Sequence, residues 1–182
     1  MNRTIITMAL AVVIAGQALA QQEKMVGGAA MYPTRNIIEN AVNSNDHTTL
    51  VAAVKAADLV ETLSGKGPFT VFAPTNAAFD ALPDGTVESL LKPENKKRLQ
   101  GVLTYHVLAG KFDSKAVANA IKKGGGKVTM KTVAGGELTF SMKGDALMVM
   151  DAGGNSAKVT IADVYQSNGV IHVIDKVLLP KM

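Results

Sequence analysis

Near Lys127 the apolar residues of this chain change their spacing, and that change limits the fold more than any other feature. Upstream, "NIIENAVNS" and "DHTTLVAAVKAADLVETL" place Ile37, Ile38 and Ala41, then Leu50, Val51 and Val54, then Leu59, Val60 and Leu63 at helical intervals. Downstream, "KVTMKTV", "GGELTFSM", "ALMVMD", "AKVTIADVY" and "GVIHVIDKVLL" alternate with period two between glycine-rich turns. Helices gathered first and strands gathered last predict an α+β domain, since βαβ units would interleave the two periods. A length of 182 residues, 47% apolar, with no internal repeat, predicts one domain with a substantial core.

One strand interrupts the helical half, in "GPFTVFAPTNAAFDAL". Phe69–Phe72 favours extended backbone. Pro74 cannot donate to a ladder, so the strand should stop there. Thr75 and Asn76 are good helix caps, and "AAFDAL" follows at once. The knot "APTN" therefore reads as a strand stop, a turn and a cap, a joint with no need of chemistry. Further on, "KPENKKRLQGVLTYHVL" predicts a helix with Leu99, Val102 and Leu103 inward, and "KAVANAIKK" a short helix stopped by Gly124–Gly126. Asp46 or Thr48 is placed to cap the helix that starts near Thr48.

The first twenty residues, "MNRTIITMALAVVIAGQALA", combine Arg3, an apolar stretch from Ile5 to Ala15 and the small-x-small ending Ala18-Leu19-Ala20. They predict a signal peptide at 1–20, cleaved before Gln21, and hence a periplasmic or extracellular protein. The apolar stretch is short for a membrane span and no second one follows, so no transmembrane segment is expected. "QQEKMVGGAAMYPTR" has no period and reads as a flexible arm over residues 21–35.

Cys is absent, which removes disulfides, thiolate metal sites and a Cys nucleophile. A formal charge of +4 favours acidic surfaces without identifying one. With 4% aromatics and no Trp, stacking platforms are scarce, which argues against nucleic acid as a partner. Lys96-Lys97-Arg98 and Lys122-Lys123 read as solvated faces open to an acidic polysaccharide. The three histidines, His47, His106 and His172, share no metal-ligand spacing. His106 and His172 fall on apolar faces and read as satisfied core histidines, whereas His47 reads as solvent-facing. Ser64 in "TLSGKG" lacks the glycine pattern of a nucleophile elbow. "DAGGNS" is an oxygen-rich turn, but Ala162 stands where a calcium loop needs its closing Glu. No nucleophile–base set assembles, so no enzyme and no cofactor is expected. Met148 and Met150 share a strand face, with Met130 and Met142 on strands expected nearby; core filling is the main reading, and a periplasmic small-ligand or Cu(I) carrier is the alternative function. "KGD" at Lys143–Asp145 reads as a turn.

"FTVFAPTNAAF" (Phe69–Phe79), "LTYHVLAGK" (Leu103–Lys111) and "SNGVIHVIDKVLLP" (Ser167–Pro180) resemble, in order and separation, the three signature segments of the fasciclin-like (FAS1) domain. The resemblance runs over residues 36–180. It implies two small β-sheets flanked by helices, a wedge used by extracellular adhesion modules and by secreted bacterial relatives, with no common catalytic activity. Two binding positions come with it: the Tyr-His pair, matched by Tyr105 and His106, and an Asp-Ile dipeptide, matched in altered form by Asp163 and Val164. The expected partner is a cell-surface or matrix protein or an acidic polysaccharide. The residues by themselves reach only an exported α+β domain.

Overall fold

The computed structural model describes residues 22–181; the predicted signal peptide lies outside them. The chain opens with a hairpin of β1 (Lys24–Val26) and β2 (Ala29–Met31). The segment expected to be a flexible arm is thus ordered. The cause is apolar anchoring: Val26 and Met31 are both buried in the main core. The Lys24 ammonium also donates to the Ala162 carbonyl.

Next come α1 (Ile37–Ala41), α2 (Thr48–Ala56) and α3 (Val60–Ser64). The helical pattern from Thr48 to Leu63 predicted a single run. It breaks because Asp58 adopts a left-handed conformation, φ 54°, which an α-helix cannot contain. Strand β3 (Phe69–Pro74) is followed by α4 (Asn76–Asp80), α5 (Thr86–Leu91) and α6 (Lys96–Tyr105). Then follow β4 (Val107–Ala109), α7 (Ser114–Lys123) and strands β5 (Lys127–Lys131), β6 (Glu137–Lys143), β7 (Ala146–Met150), β8 (Ser156–Gln166) and β9 (Gly169–Ile174). The helix predicted to run through Tyr105-His106 ends at Tyr105, and the residues after His106 turn into β4 beside β3.

The seven strands from β3 onward hydrogen-bond in the order β4-β3-β9-β8-β7-β6-β5. Strand β8 divides them into two leaves. Its start, Ser156–Lys158, pairs with β7, and Val159–Gln166 pairs with β9 across two register shifts. The first leaf contains the parallel pair β3–β9, with Val71 opposite Ile171. Every residue of β9 is buried, the continuous apolar run expected of a strand covered on both faces. On one side Val71, Ala73, Ile171 and Val173 pack with α1, α2 and α6. On the other, Phe72 and Ile174 join Leu138, Phe140 and Val149 of the second leaf and Val117 and Ile121 of α7. Fully burying a side chain such as Phe72 contributes about 2–3 kcal/mol.

The "APTN" joint behaves as its residue types require. Pro74 is the last residue of β3, opposite Ile174, and the Thr75 hydroxyl accepts from the Ala78 amide, 3.3 Å, as the cap of α4. Asn76 does something local rules do not anticipate. Its side-chain oxygen accepts from the Thr49 amide (3.0 Å) while its amide donates to the Asn45 carbonyl (2.8 Å). Neither Asp46 nor Thr48 caps α2; a residue 27 positions downstream does so.

Candidate functional site

The residues singled out by sequence fall into two groups, one on each side of β9. At the bulge of β8, Asp163 has φ 58°, a conformation a non-glycine residue holds only when its surroundings over-determine it. The surroundings are specific. Its carboxylate accepts from the Ser114 amide (2.6 Å) and the Ser114 hydroxyl, and its own amide donates to His172 Nδ1 (3.3 Å). Asp113 caps the same helix by accepting from the Ala116 amide at 2.8 Å, and its other oxygen accepts from the Tyr165 hydroxyl at 3.3 Å. Two carboxylates thus meet the positive end of α7, where negative charge is favoured. Burial raises the Tyr165 pKa, and Asp163 and Asp113 add to that.

His172 is completely buried, donates from Nε2 to the Phe112 carbonyl (2.8 Å) and stacks on Phe72 at 5.4 Å. Burial lowers its pKa, against the pull of the Phe112 carbonyl, Asp163 and Asp113, so the neutral ring is a structural bracket between β9, the bulge and the start of α7. Val164 is 1% exposed. It supports this region from beneath and offers a partner no surface.

The second group is buried further. Tyr105 is inaccessible; its hydroxyl donates to the Glu137 carbonyl (2.7 Å) and accepts from the Ala152 amide (3.0 Å). His106 donates from Nδ1 to the Val102 carbonyl (2.8 Å) and accepts at Nε2 from the Leu178 amide (2.9 Å). Burial takes its pKa down to about 4, opposed by the Val102 carbonyl and Asp151. Tyr105 and His106 therefore tie α6 to the second leaf and the C-terminal segment. Of the four sequence-derived positions, only Asp163 retains accessible surface, and its carboxylate is engaged.

Two further expectations change. His47 is 3% exposed, its Nδ1 2.8 Å from the Ser44 hydroxyl, because the turn before α2 directs it under the first leaf; burial lowers its pKa. The four methionines do not converge. Pairing puts Met130 opposite Leu138, against the core, and Met142 opposite Leu147 but exposed, whereas Met148 lies opposite Ser141 and Lys158 and Met150, also exposed, opposite Ser156. The "DAGGNS" turn is closed on itself: the buried Asp151 carboxylate accepts from the Gly153 and Asn155 amides, 2.9 Å each, and from the Leu179 amide at 3.1 Å. Among the described residues no group of three His, Asp or Glu side chains could hold a metal ion, and no helix is long and apolar enough to cross a membrane.

The Fasciclin domain profile matches residues 45–180. The chain belongs to the fasciclin domain family. It is 50% identical over 171 residues to Protein sll1483 of Synechocystis sp., covering 94% of this chain and 88% of that one. It is 34% identical to the cell surface glycolipoprotein MPB83 of Mycobacterium bovis, covering 90% of this chain and 69% of that one. Transforming growth factor-beta-induced protein ig-h3 of Sus scrofa is 38% identical over 81% of this chain, which spans 20% of ig-h3. A FAS1 domain pair of the insect cell adhesion molecule fasciclin I shares the fold, with TM-score 0.70, 17% identity, and coverage of 80% of this chain and 51% of that one.

The fasciclin fold also depends on polar residues that the sequence reading did not single out. Asn168, inside the third signature, accepts from the Ile37 amide and donates to the Leu63 and Gly65 carbonyls. Buried Asn40 donates to the Gln166 side chain and the Tyr32 carbonyl. Their only sequence signal was an amide side chain beside an apolar run.

Proposed function

We propose that this fasciclin domain is an exported, non-catalytic binding module that attaches to a cell-surface or envelope component. The reading rests on family membership across nearly the whole chain, with relatives named as a cell surface glycolipoprotein and, for the shared fold, a cell adhesion molecule. The engagement of the polar side chains supports it. His106, His172, Asp151 and Asp163 each have intramolecular partners, so they brace the fold and offer no assembled nucleophile and base. Recognition then falls to exposed loops around the β8–β9 turn and the Asp163 bulge, with Val164 supporting that face from within and Tyr105 and His106 bracing α6 against the second leaf.

The test is attachment of beads coated with residues 21–182 to producing cells and to purified envelope material. Saturable, salt-resistant attachment is expected, and its absence would overturn the reading. Asp163→Asn is the appropriate companion variant, because Asn tolerates the left-handed conformation that Ala resists. If Asp163→Asn keeps its thermal midpoint and loses attachment, the bulge contributes directly to binding.

A further inference from the structure

Beside the β8–β9 turn the structure holds a polar cleft of about 520 Å³, within the size range of ligand sites. Three segments wall it: the end of α3 and the loop after it with Ser64 and Lys66, the β4–α7 loop with Lys111, and the turn itself with Ser167 and Asn168. Pro68 is its only apolar lining side chain, and no carboxylate lines it. The exposed ammonium groups of Lys66 and Lys111 take part in no ion pair among the described residues.

The walls are fixed to one another before any ligand arrives. Asn168 bridges α1 and α3 through Ile37, Leu63 and Gly65. The Phe69 amide donates to the Asn168 carbonyl, the Gly110 amide to the Pro68 carbonyl and the Ser167 amide to the Arg35 carbonyl, at 3.0, 3.0 and 2.8 Å. A preformed site loses little conformational freedom on binding. The Lys111 ammonium lies 4.9 Å from the centre of the half-buried Tyr165 ring, and the Arg35 guanidinium 4.9 Å from that of Tyr32. Two acids near the cleft in sequence lie outside its lining and are already engaged: Glu39 accepts from the Asn36 amide and Asp113 from the Tyr165 hydroxyl.

We propose that this cleft binds an acidic polysaccharide, with Lys66 and Lys111 pairing with successive uronate carboxylates and Ser64 and Ser167 meeting ring hydroxyls. A concave, hydroxyl-lined and cationic groove suits a charged sugar ring. It lacks the apolar side-chain pocket that would anchor a peptide. The exposed large apolar residues, Met25, Val42, Val133, Met142 and Met150, lie outside the cleft, so it carries no wedge for a lipid surface. This inference rests on the binding-module reading and names the ligand class of the same face.

The test is calorimetric titration of residues 21–182 with galacturonate oligomers at physiological salt. Carboxyl-reduced oligomers and polyglutamate of equal length serve as comparison probes. Lys66→Glu with Lys111→Glu is expected to weaken uronate binding roughly tenfold or more, since each reversal replaces an attraction with a repulsion. Lys122→Glu with Lys123→Glu, the same change of net charge on α7, is expected to shift it less than about twofold. Thermal midpoints close to that of the parent would establish that both variants fold. Absence of uronate binding, equal weakening by both variants, or polyglutamate binding as tightly as uronate would each overturn the proposal. Bead attachment unaffected by the Lys66/Lys111 changes would sink the cleft and spare the module. Uronate binding without bead attachment would do the reverse.

Discussion

The two leaves of the sheet are held in different ways. In the first, β3 and β9 run parallel, are covered on both faces, and are fixed by side chains from distant parts of the chain: Asn76 on α2, Asn168 on α1 and α3, Asp163 on α7. In the second, β5, β6 and β7 are antiparallel neighbours joined by short turns, with one face on α7 and the other carrying Thr129, Thr139, Ser141 and Met148 outward. The contrast explains why the polar residues that most resemble chemistry are structural. A parallel pair far apart in sequence has no turn to set its register, so buried amides, carboxylates and imidazoles set it instead.

Glycine substitutions should separate the leaves most strongly. A Cβ on Gly169 would sit 2.1 Å from the Phe69 carbonyl oxygen, and neither backbone can retreat without parting β3 from β9. Gly169→Ala is expected to cost about 4 kcal/mol or more in chemical denaturation. Gly144, in the turn between β6 and β7, has φ 61° and open space around it, so Gly144→Ala should cost only about 1 kcal/mol. Equal costs would break the comparison.

Acid should act through the first leaf and its neighbours, because all three histidines lie there. The His106 pKa is about 4 when folded and ordinarily 6.5. The folded state therefore binds fewer protons than the unfolded state between those values. Stability is complete above pH 6.5 and declines as pH falls toward 4, by on the order of 3 kcal/mol from His106 alone. His47 and His172, also lowered by burial, act in the same direction. His106→Gln should reduce the slope of stability against pH in this window, and an unchanged slope would remove His106 from the account. Asn168→Ala comes next, at about 2 kcal/mol in urea unfolding, for the loss of three hydrogen bonds that hold α1 and α3 to the turn.

What the sequence made legible follows the same division. The second leaf could be read strand by strand, because alternation and glycine turns are local signals and the pairing is between neighbours. The "APTN" joint was legible for the same reason. The break at Asp58, the reach of Asn76 to α2 and the contact of Asp163 with the start of α7 were not, since each depends on a residue brought close only by the finished fold. His47 was misjudged because a position near a helix start says nothing of which side the hairpin covers. The cleft illustrates the limit most clearly: Lys66, Lys111 and Ser167 are unremarkable surface residues in sequence, and only the crossing of three loops makes them one site.

The smallest expected effect is also the sharpest check on the open face of the second leaf. The Thr129 and Thr139 hydroxyls lie 3.1 Å apart across β5 and β6, outside the core. Exposed positions of this kind contribute little, so Thr129→Ala with Thr139→Ala should change stability by less than about 0.5 kcal/mol. A loss of several times that would mean the face is covered in solution, and a second copy of the chain is the simplest cover. The unfolding midpoint would then rise with protein concentration, as mass action requires, and the second leaf would prove to be buried on both sides like the first. A concentration-independent midpoint together with a negligible loss keeps the leaves distinct, and leaves recognition to the loops around β8 and β9.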